Sequence, residues 1–407
     1  MSAAIAIPHP SVVQKALRTT TERLAHELGR PTEIAPTWSE FEWRAARAAA
    51  AIHCVGPLLA TSLRWEGPPE WQAFIRAQRE HTQHRHERIE RLAGLIDARA
   101  RERGLPLVAL KGAALHALGF YRAGERPMAD LDLLVRESDL PAAARLLEEQ
   151  NYGEKLRMWK NHVFTPSVAC PAGGLGEHRD SDIKIELHWH ISERLPAKLT
   201  DVSESVFPSS PRPGLNPYPS LAALLMHLVL HAAGSMVTRD LRLMHLNDLV
   251  LVCARMTSED WKEVLQRDRS VHGPWWLLPP LRLASRYYPE IRLPRTVLAS
   301  LERACPRPLS LLTARRSLTD VSLSSVWIQA FPGIEWSRSL GEGIRYLMRR
   351  MRLDADARTI RETDAVSAPW TANDHWSDLS QRARILRWMI SRPTRPAAMY
   401  TVREALR

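Results

Sequence analysis

The sequence predicts an α+β fold in which a small core of mixed sheet and helix lies between helical regions. Three short apolar segments, at 107–110, 130–135 and 183–191, have the length and alternation of buried or half-buried strands. The residues before and after these segments instead repeat apolar side chains at helical spacing. Apolar residues make up 45% of the 407 positions and charged residues 25%, which is typical of a globular protein and excludes extensive disorder.

Helical signals dominate the first hundred residues. An alanine-rich segment covers 39–60, and 71–103 carries apolar residues at helical spacing in a charged background. Gly104 followed by Pro106 is typical of the end of a helix. We therefore predict an N-terminal helical region over 1–103.

The nature of the sequence changes after Gly104, and we predict the α/β core over 104–200. Its predicted elements are, in order, a strand at 107–110, a helix at 113–118, a strand at 130–135, a helix at 139–150, an extended stretch at 155–165 and a strand at 183–191. The last strand alternates cleanly, with Ile185 and Leu187 on one face and Glu186 and His188 on the other.

Five prolines between 207 and 219 predict a surface crossing after the core. Apolar periodicity then returns at 221–230 and 241–251. We predict a helical domain over 201–330 and a basic C-terminal helical extension over 331–407.

The formal net charge of +11 arises from 56 Lys and Arg against 45 Asp and Glu, and most of the cations are arginine. Such a bias concerns solubility and association more than fold.

The four cysteines have no CxxC spacing, which excludes a disulfide framework and a cysteine-rich zinc site. The longest apolar stretch, 221–233, is shorter than the ~20 residues that span a bilayer. We predict a cytoplasmic protein with no signal peptide and no membrane partner.

Two carboxylates mark the strand at 130–135. Asp130 and Asp132 stand two residues apart, so both side chains project from the same face, separated by about 7 Å at the backbone. Two carboxylates side by side on a buried strand resist ionisation unless a cation lies between them. Hard oxygen ligands of this kind select magnesium or manganese. The pair therefore predicts a divalent metal site.

Basic residues and a third carboxylate accompany this pair. Lys111 and Gly112 open a predicted helix directly after a strand, where backbone N–H groups and the ammonium favour a phosphate. Arg126 offers a guanidinium fork that suits phosphate oxygens. Glu186 lies on the polar face of the strand at 183–191. Together these residues indicate phosphoryl or nucleotidyl transfer, and we find no nucleophile-elbow motif of a serine hydrolase.

The segments LKGAAL at 110–115, RPMADLDLLV at 126–135 and ELHW at 186–189 resemble a bacterial family of uncharacterised nucleotidyltransferases within the DNA polymerase β-like superfamily. The resemblance covers about 100–255, and it also extends to the nucleotidyltransferases of type IV toxin–antitoxin systems. Relatives in the wider superfamily open the first helix with Gly-Ser, whereas this chain has Lys111-Gly112.

The resemblance implies a polymerase-β-like mixed-sheet core and a role for each motif residue. Asp130 and Asp132 would hold two Mg²⁺ ions, or Mn²⁺, and Glu186 would complete the site and help to deprotonate the acceptor. Lys111, the Gly112 backbone and Arg126 would hold the phosphates of an NTP. The reaction would transfer a nucleoside monophosphate to a hydroxyl group and release pyrophosphate.

Several alternatives stay open on the sequence alone. His188 is a candidate for a residue that supports the metal ligands rather than binding the metal itself. The acceptor is a small molecule or a modified peptide, or, in the toxin-like alternative, a tRNA. A non-catalytic nucleotide-binding or RNA-binding protein is the alternative outside the enzymes. The sequence does not predict the base of the NTP or the oligomeric state.

Overall fold

A six-stranded mixed sheet forms the centre of the protein in a computed structural model, which describes residues 7–168, 170, 174–267, 273–291, 293–352 and 379–407. The described strands are β1 (Pro106–Ala109), β2 (Asp130–Leu134), β3 (Tyr152–Arg157), β4 (Asn161–Pro166), β5 (Lys184–His188), β6 (Ser192–Arg194), β7 (Leu199–Asp201) and β8 (Gly214–Asn216). The main sheet has the order β3-β4-β5-β2-β1-β8, and β6 pairs with β7 separately. Strand β2 runs parallel to β5 and antiparallel to β1, which confirms the predicted mixed sheet.

Helices precede, interrupt and follow the strands of this sheet in the sequence. The described helices are α1 (Pro10–Gly29), α2 (Glu40–Ile52), α3 (Gly56–Ser62), α4 (Pro69–Glu102), α5 (Lys111–Ala117), α6 (Leu140–Glu149), α7 (Ser203–Val206), α8 (Leu221–Thr238), α9 (Leu243–Arg255), α10 (Ser258–Arg267), α11 (Leu278–Tyr287), α12 (Arg295–Ala304), α13 (Arg307–Arg315), α14 (Leu340–Arg350), α15 (Gln381–Ser391) and α16 (Pro396–Leu406). The α+β class predicted from the sequence is confirmed.

Most predicted elements are present, with three differences. The alanine-rich segment at 39–60 forms two helices, because Cys54 between them has a left-handed backbone (φ 56°) that interrupts the helical path. The extended stretch at 155–165 is a hairpin of β3 and β4. The strand predicted at 183–191 ends at His188, because its partner β2 ends at Leu134, directly opposite.

Two hydrophobic clusters pack against the sheet. One contains Leu131, Leu133 and Leu187 and lies between the sheet and helices α4 and α6. The other continues from the opposite side of the sheet into the surrounding helices and includes nearly all of α8. Helix α8 is long and apolar enough to cross a membrane by composition, yet 83% of it is buried in the protein, as in a core helix.

Helices from both ends of the sequence pack together. Arg44 and Arg47 of α2 donate to the backbone carbonyls of Leu406 (2.7 Å) and Ala405 (2.6 Å) in α16. His53 accepts from the Leu243 N–H at Nδ1 (3.1 Å), and its Nε2 lies 3.0 Å from Ser324 Oγ. Burial lowers the pKa of His53 to about 3, so the ring is neutral and can accept this bond.

The domain boundaries at 103, 200 and 330 stay predictions, and 353–378 of the basic extension lie outside the described residues.

Candidate active site

Strand register brings the predicted carboxylates together. Asp132 of β2 stands directly opposite Glu186 of β5, and Leu134 stands opposite His188. Because side chains alternate along each strand, Asp132, Glu186 and His188 share one face of the sheet. His188 Nε2 lies 2.9 Å from Asp132 Oδ1 and 3.3 Å from Glu186 Oε2. One potential ligand atom from each of the three residues lies within 4.8 Å of the others.

Asp130 occupies the same face, two residues before Asp132, and is half-buried. Burial and the negative charges of Asp132 and Glu186 raise the pKa of Asp130 to about 7. Burial also opposes ionisation of Asp132, but Lys111 and His188 outweigh it and hold the Asp132 pKa well below its usual range. The face is therefore a crowded carboxylate cluster whose charge is only partly compensated.

Lys111 begins helix α5 beside this cluster. The Leu110 N–H donates to the Asp132 carbonyl (3.0 Å), which fixes the start of the helix next to β2. Lys111 has a left-handed backbone (φ 45°), a conformation that costs a non-glycine residue about 1–3 kcal/mol. The Lys111 Nζ donates to Asp132 Oδ1 (2.8 Å), and the Lys111 backbone N–H donates to the Tyr218 hydroxyl (3.3 Å). The strained backbone thus places an ammonium group directly on a predicted metal ligand.

Gly112 packs closely against the side chains of Arg126 and Met128. A Cβ added to Gly112 would clash with Arg126 Nη1 and lie 2.8 Å from Met128 Cγ and Sδ. The absence of a side chain therefore allows the guanidinium to pack against the beginning of α5.

We expect Gly112→Ala to destabilise the protein by about 1–3 kcal/mol, because the added methyl group overpacks this contact. Gly94→Ala is the matched control, since a Cβ at Gly94 meets nothing within 4 Å on the exposed face of α4. This control should be stabilising by about 0.5–1 kcal/mol through the better helix propensity of alanine. Urea unfolding measures both changes, and equal stability of the two variants would contradict the packing argument.

Arg126 is buried and bound by Asp248 of α9. Its Nε and Nη2 donate to Asp248 Oδ1 (2.9 Å) and Oδ2 (2.8 Å), and the Tyr121 hydroxyl donates to the same Oδ1 (2.7 Å). Asp248 is 122 positions from Arg126 in sequence, so the sequence analysis did not identify this partner. The predicted phosphate-binding guanidinium therefore connects the core to the helices that follow it.

Arg85 of α4 supports the site from behind the strands, although no local sequence signal identifies it. Its side chain is only 2% exposed, and the guanidinium forms an ion pair with Glu177 (2.8 Å). It donates to backbone carbonyls immediately before β2, at Met128 (3.1 Å) and Ala129 (3.2 Å), and before β5, at Ser181 (2.7 Å). Arg85 thus joins the two segments that lead into the carboxylate-bearing strands.

The model of a family described as uncharacterised nucleotidyltransferase matches residues 39–289, more than half of the chain. The chain belongs to this family. No curated protein and no solved structure is significantly similar to it. The match begins 61 residues before and ends 34 residues after the stretch for which the sequence analysis stated a resemblance, 100–255, so helices α2 to α4 and part of the later helices belong to the family pattern.

The carboxylate face of this family member opens into a cavity of about 500 Å³. The core supplies one wall, with Lys111, Asp130 and Glu186, and helices α8 and α9 supply another, with His231 and His245. Burial lowers the pKa values of these two histidines far below the usual range, so both rings are neutral. Small-molecule sites in proteins have similar volumes.

The donor set fits a hard divalent cation. Asp132 and Glu186 provide carboxylate oxygens, which magnesium and manganese prefer over nitrogen ligands. Asn161 donates from Nδ2 to Glu186 Oε2 (3.0 Å), while its buried Oδ1 has no hydrogen-bond partner among the described residues. An unpaired buried oxygen beside the carboxylates is an acceptor that the ordered water of a hydrated cation can satisfy. His188, which contacts both carboxylates, is suited to orienting them.

Proposed function

We propose that this protein is a magnesium- or manganese-dependent enzyme that transfers a nucleoside monophosphate from an NTP to a hydroxyl acceptor. The observation that carries the proposal is the cluster of Asp130, Asp132 and Glu186 on one face of paired strands, beside Lys111 and open to a cavity. Membership in the nucleotidyltransferase family supports the same chemistry. We further propose that the mixed sheet is a polymerase-β-like core.

The chain's own groups have distinct roles in this reaction. Asp130, Asp132 and Glu186 hold the metal ions, and His188 keeps the Asp132 and Glu186 carboxylates in place through its Nε2. Lys111 and the Gly112 backbone face the phosphates. Arg126, packed against Gly112 and bound to Asp248, supports this phosphate-binding segment.

The acceptor oxygen attacks the α-phosphorus, the bond from that phosphorus to the bridging oxygen breaks, and pyrophosphate leaves. Glu186 assists removal of the acceptor proton. Divalent cations at the carboxylates supply charge stabilisation for the attacking and leaving oxygens. The cationic Lys111 adds positive charge near the leaving phosphates, where it has the greatest effect on the transition state.

We propose a small molecule or a modified peptide as the acceptor, because the cavity has the volume of a small-molecule site. The test is to incubate the purified protein with each α-³²P-labelled NTP, Mg²⁺ and a cell extract, separated into a small-molecule fraction and an RNA fraction. We expect label to enter the small-molecule fraction with release of pyrophosphate. No transfer to either fraction with any NTP would contradict the proposal.

The tRNA alternative gives a different result in the same assay. Label would enter the RNA fraction, and because several phosphate contacts release counterions, binding would weaken steeply from 50 to 200 mM salt by about 10³-fold or more. Transfer to the small-molecule fraction that is insensitive to salt over this range supports the proposed acceptor class.

A further inference from the structure

The cationic side chains of the cavity differ in their partners. Four Lys or Arg side chains of the described residues line it, and three form ion pairs within the protein. The pairs are Lys111 with Asp132 (2.8 Å), Arg126 with Asp248 (2.8 Å) and Lys160 with Glu193 (2.9 Å). The fourth cation is Arg242.

Arg242 has no carboxylate oxygen within 4 Å in the part of the chain that the structure describes, and it is exposed. Its Nη1 donates to Cys54 Sγ (3.5 Å). Burial raises the pKa of the Cys54 thiol, so this partner is neutral at physiological pH. The guanidinium therefore lines the cavity without a direct ion-pair partner among the described residues.

The backbone of Arg242 is fixed although its side chain has no ionic partner. Arg242 immediately precedes α9, and its N–H donates to His245 Nδ1 (3.3 Å). The next N–H, of Leu243, donates to the buried His53 (3.1 Å). These bonds fix the backbone at the base of the side chain and do not involve the guanidinium.

Arg242 is close enough to other residues of the cavity to change their pKa values. After burial, the positive charges of Arg242, Arg126 and Lys111 are the main causes that lower the pKa of His245. Arg242 also lowers the pKa of Asp130, against the larger raising effects of burial and the neighbouring carboxylates. Arg242 thus lines the same cavity as Asp130, Asp132 and Glu186 and interacts electrostatically with Asp130.

We propose that Arg242 is the guanidinium that binds the phosphate oxygens of the NTP. This inference rests on the proposed function and assigns the role to a residue that the sequence motif did not include. A planar guanidinium can donate two parallel hydrogen bonds to phosphate oxygens. Arg126 has already committed Nε and Nη2 to Asp248, whereas Arg242 can engage a phosphate without breaking an ion pair.

The test measures binding separately from transfer. Tripolyphosphate and each of the four ribonucleoside triphosphates are titrated by calorimetry into wild type, Arg242→Ala and Arg242→Lys, with Mg²⁺ and no acceptor. We expect Arg242→Ala to weaken binding about 10- to 100-fold, because it removes charge-assisted hydrogen bonds. Arg242→Lys keeps the charge but loses the fork, so its affinity should be intermediate.

Arg295→Ala is the control, since Arg295 is an exposed cation on α12 that does not line the cavity. Thermal unfolding of each variant checks that it remains folded. Unchanged affinity of Arg242→Ala for every triphosphate that wild type binds would overturn the assignment and leave the proposed function standing. Failure of the wild type to bind any triphosphate would overturn both.

Discussion

Asp132→Asn should reduce transfer of the labelled nucleotide by about 10³-fold or more. Asp132 is 4% exposed and is the carboxylate that both Lys111 and His188 contact. Asparagine has the same shape but no charge, so it cannot neutralise a divalent cation or pair with Lys111. The comparison is made in the α-³²P assay at saturating NTP and Mg²⁺, with the acceptor fraction that the wild type labels.

Asp139→Asn provides the matched control, because Asp139 makes no side-chain capping bond at the start of α6 and does not line the cavity. This variant should transfer label at the wild-type rate. A transfer rate of Asp132→Asn within a few-fold of wild type would exclude the carboxylate cluster as the catalytic centre. The groups that catalyse transfer would then lie elsewhere in the protein.

Arg85→Met should lower the free energy of unfolding by about 3–5 kcal/mol. Methionine keeps most of the length and apolar contact of the side chain but removes the guanidinium. Glu177, whose side chain is 15% exposed, then loses its ion-pair partner, and the carbonyls of Met128, Ala129 and Ser181 lose a donor. Unsatisfied buried polar groups of this kind account for most of the expected cost.

Urea unfolding of Arg85→Met and Arg91→Met separates this effect from the general effect of removing an arginine from α4. Arg91 is exposed on the same helix, so its replacement should change stability by no more than about 0.5 kcal/mol. A loss of less than about 1 kcal/mol in Arg85→Met would show that the segments before β2 and β5 keep their positions without Arg85. Because those segments lead into the strands that carry Asp130, Asp132 and Glu186, we also expect reduced transfer by the folded variant.

The local features of the site could be predicted from sequence. The two-residue spacing of Asp130 and Asp132 defines a shared face in any strand, and the alternation around Glu186 does the same for β5. Buried apolar runs and a glycine-proline helix end located these strands to within a few residues. Lys111 was identifiable because it follows a strand and precedes a helix.

The partners of the site could not be predicted, because they come from distant positions. Asp248 binds Arg126 across 122 positions, and Arg85 reaches Ser181 across 96. Arg85 also lies in a polar segment rich in histidine, whose composition is typical of a solvated helix face. Its burial depends on the fold of the sheet beside it, which local periodicity does not contain.

The contact between α2 and α16 affects the order in which parts of the protein can fold during synthesis. The strands of the main sheet are all translated by residue 216, whereas Arg44 and Arg47 find their carbonyl partners only when residues 405 and 406 emerge. Closing a segment of 362 positions has a large entropic cost, so this contact forms late. A ribosome-bound chain can therefore assemble its main sheet before α16 reaches α2. A fragment ending before 396 would leave the part of α2 that contacts α16 exposed to solvent, which favours aggregation.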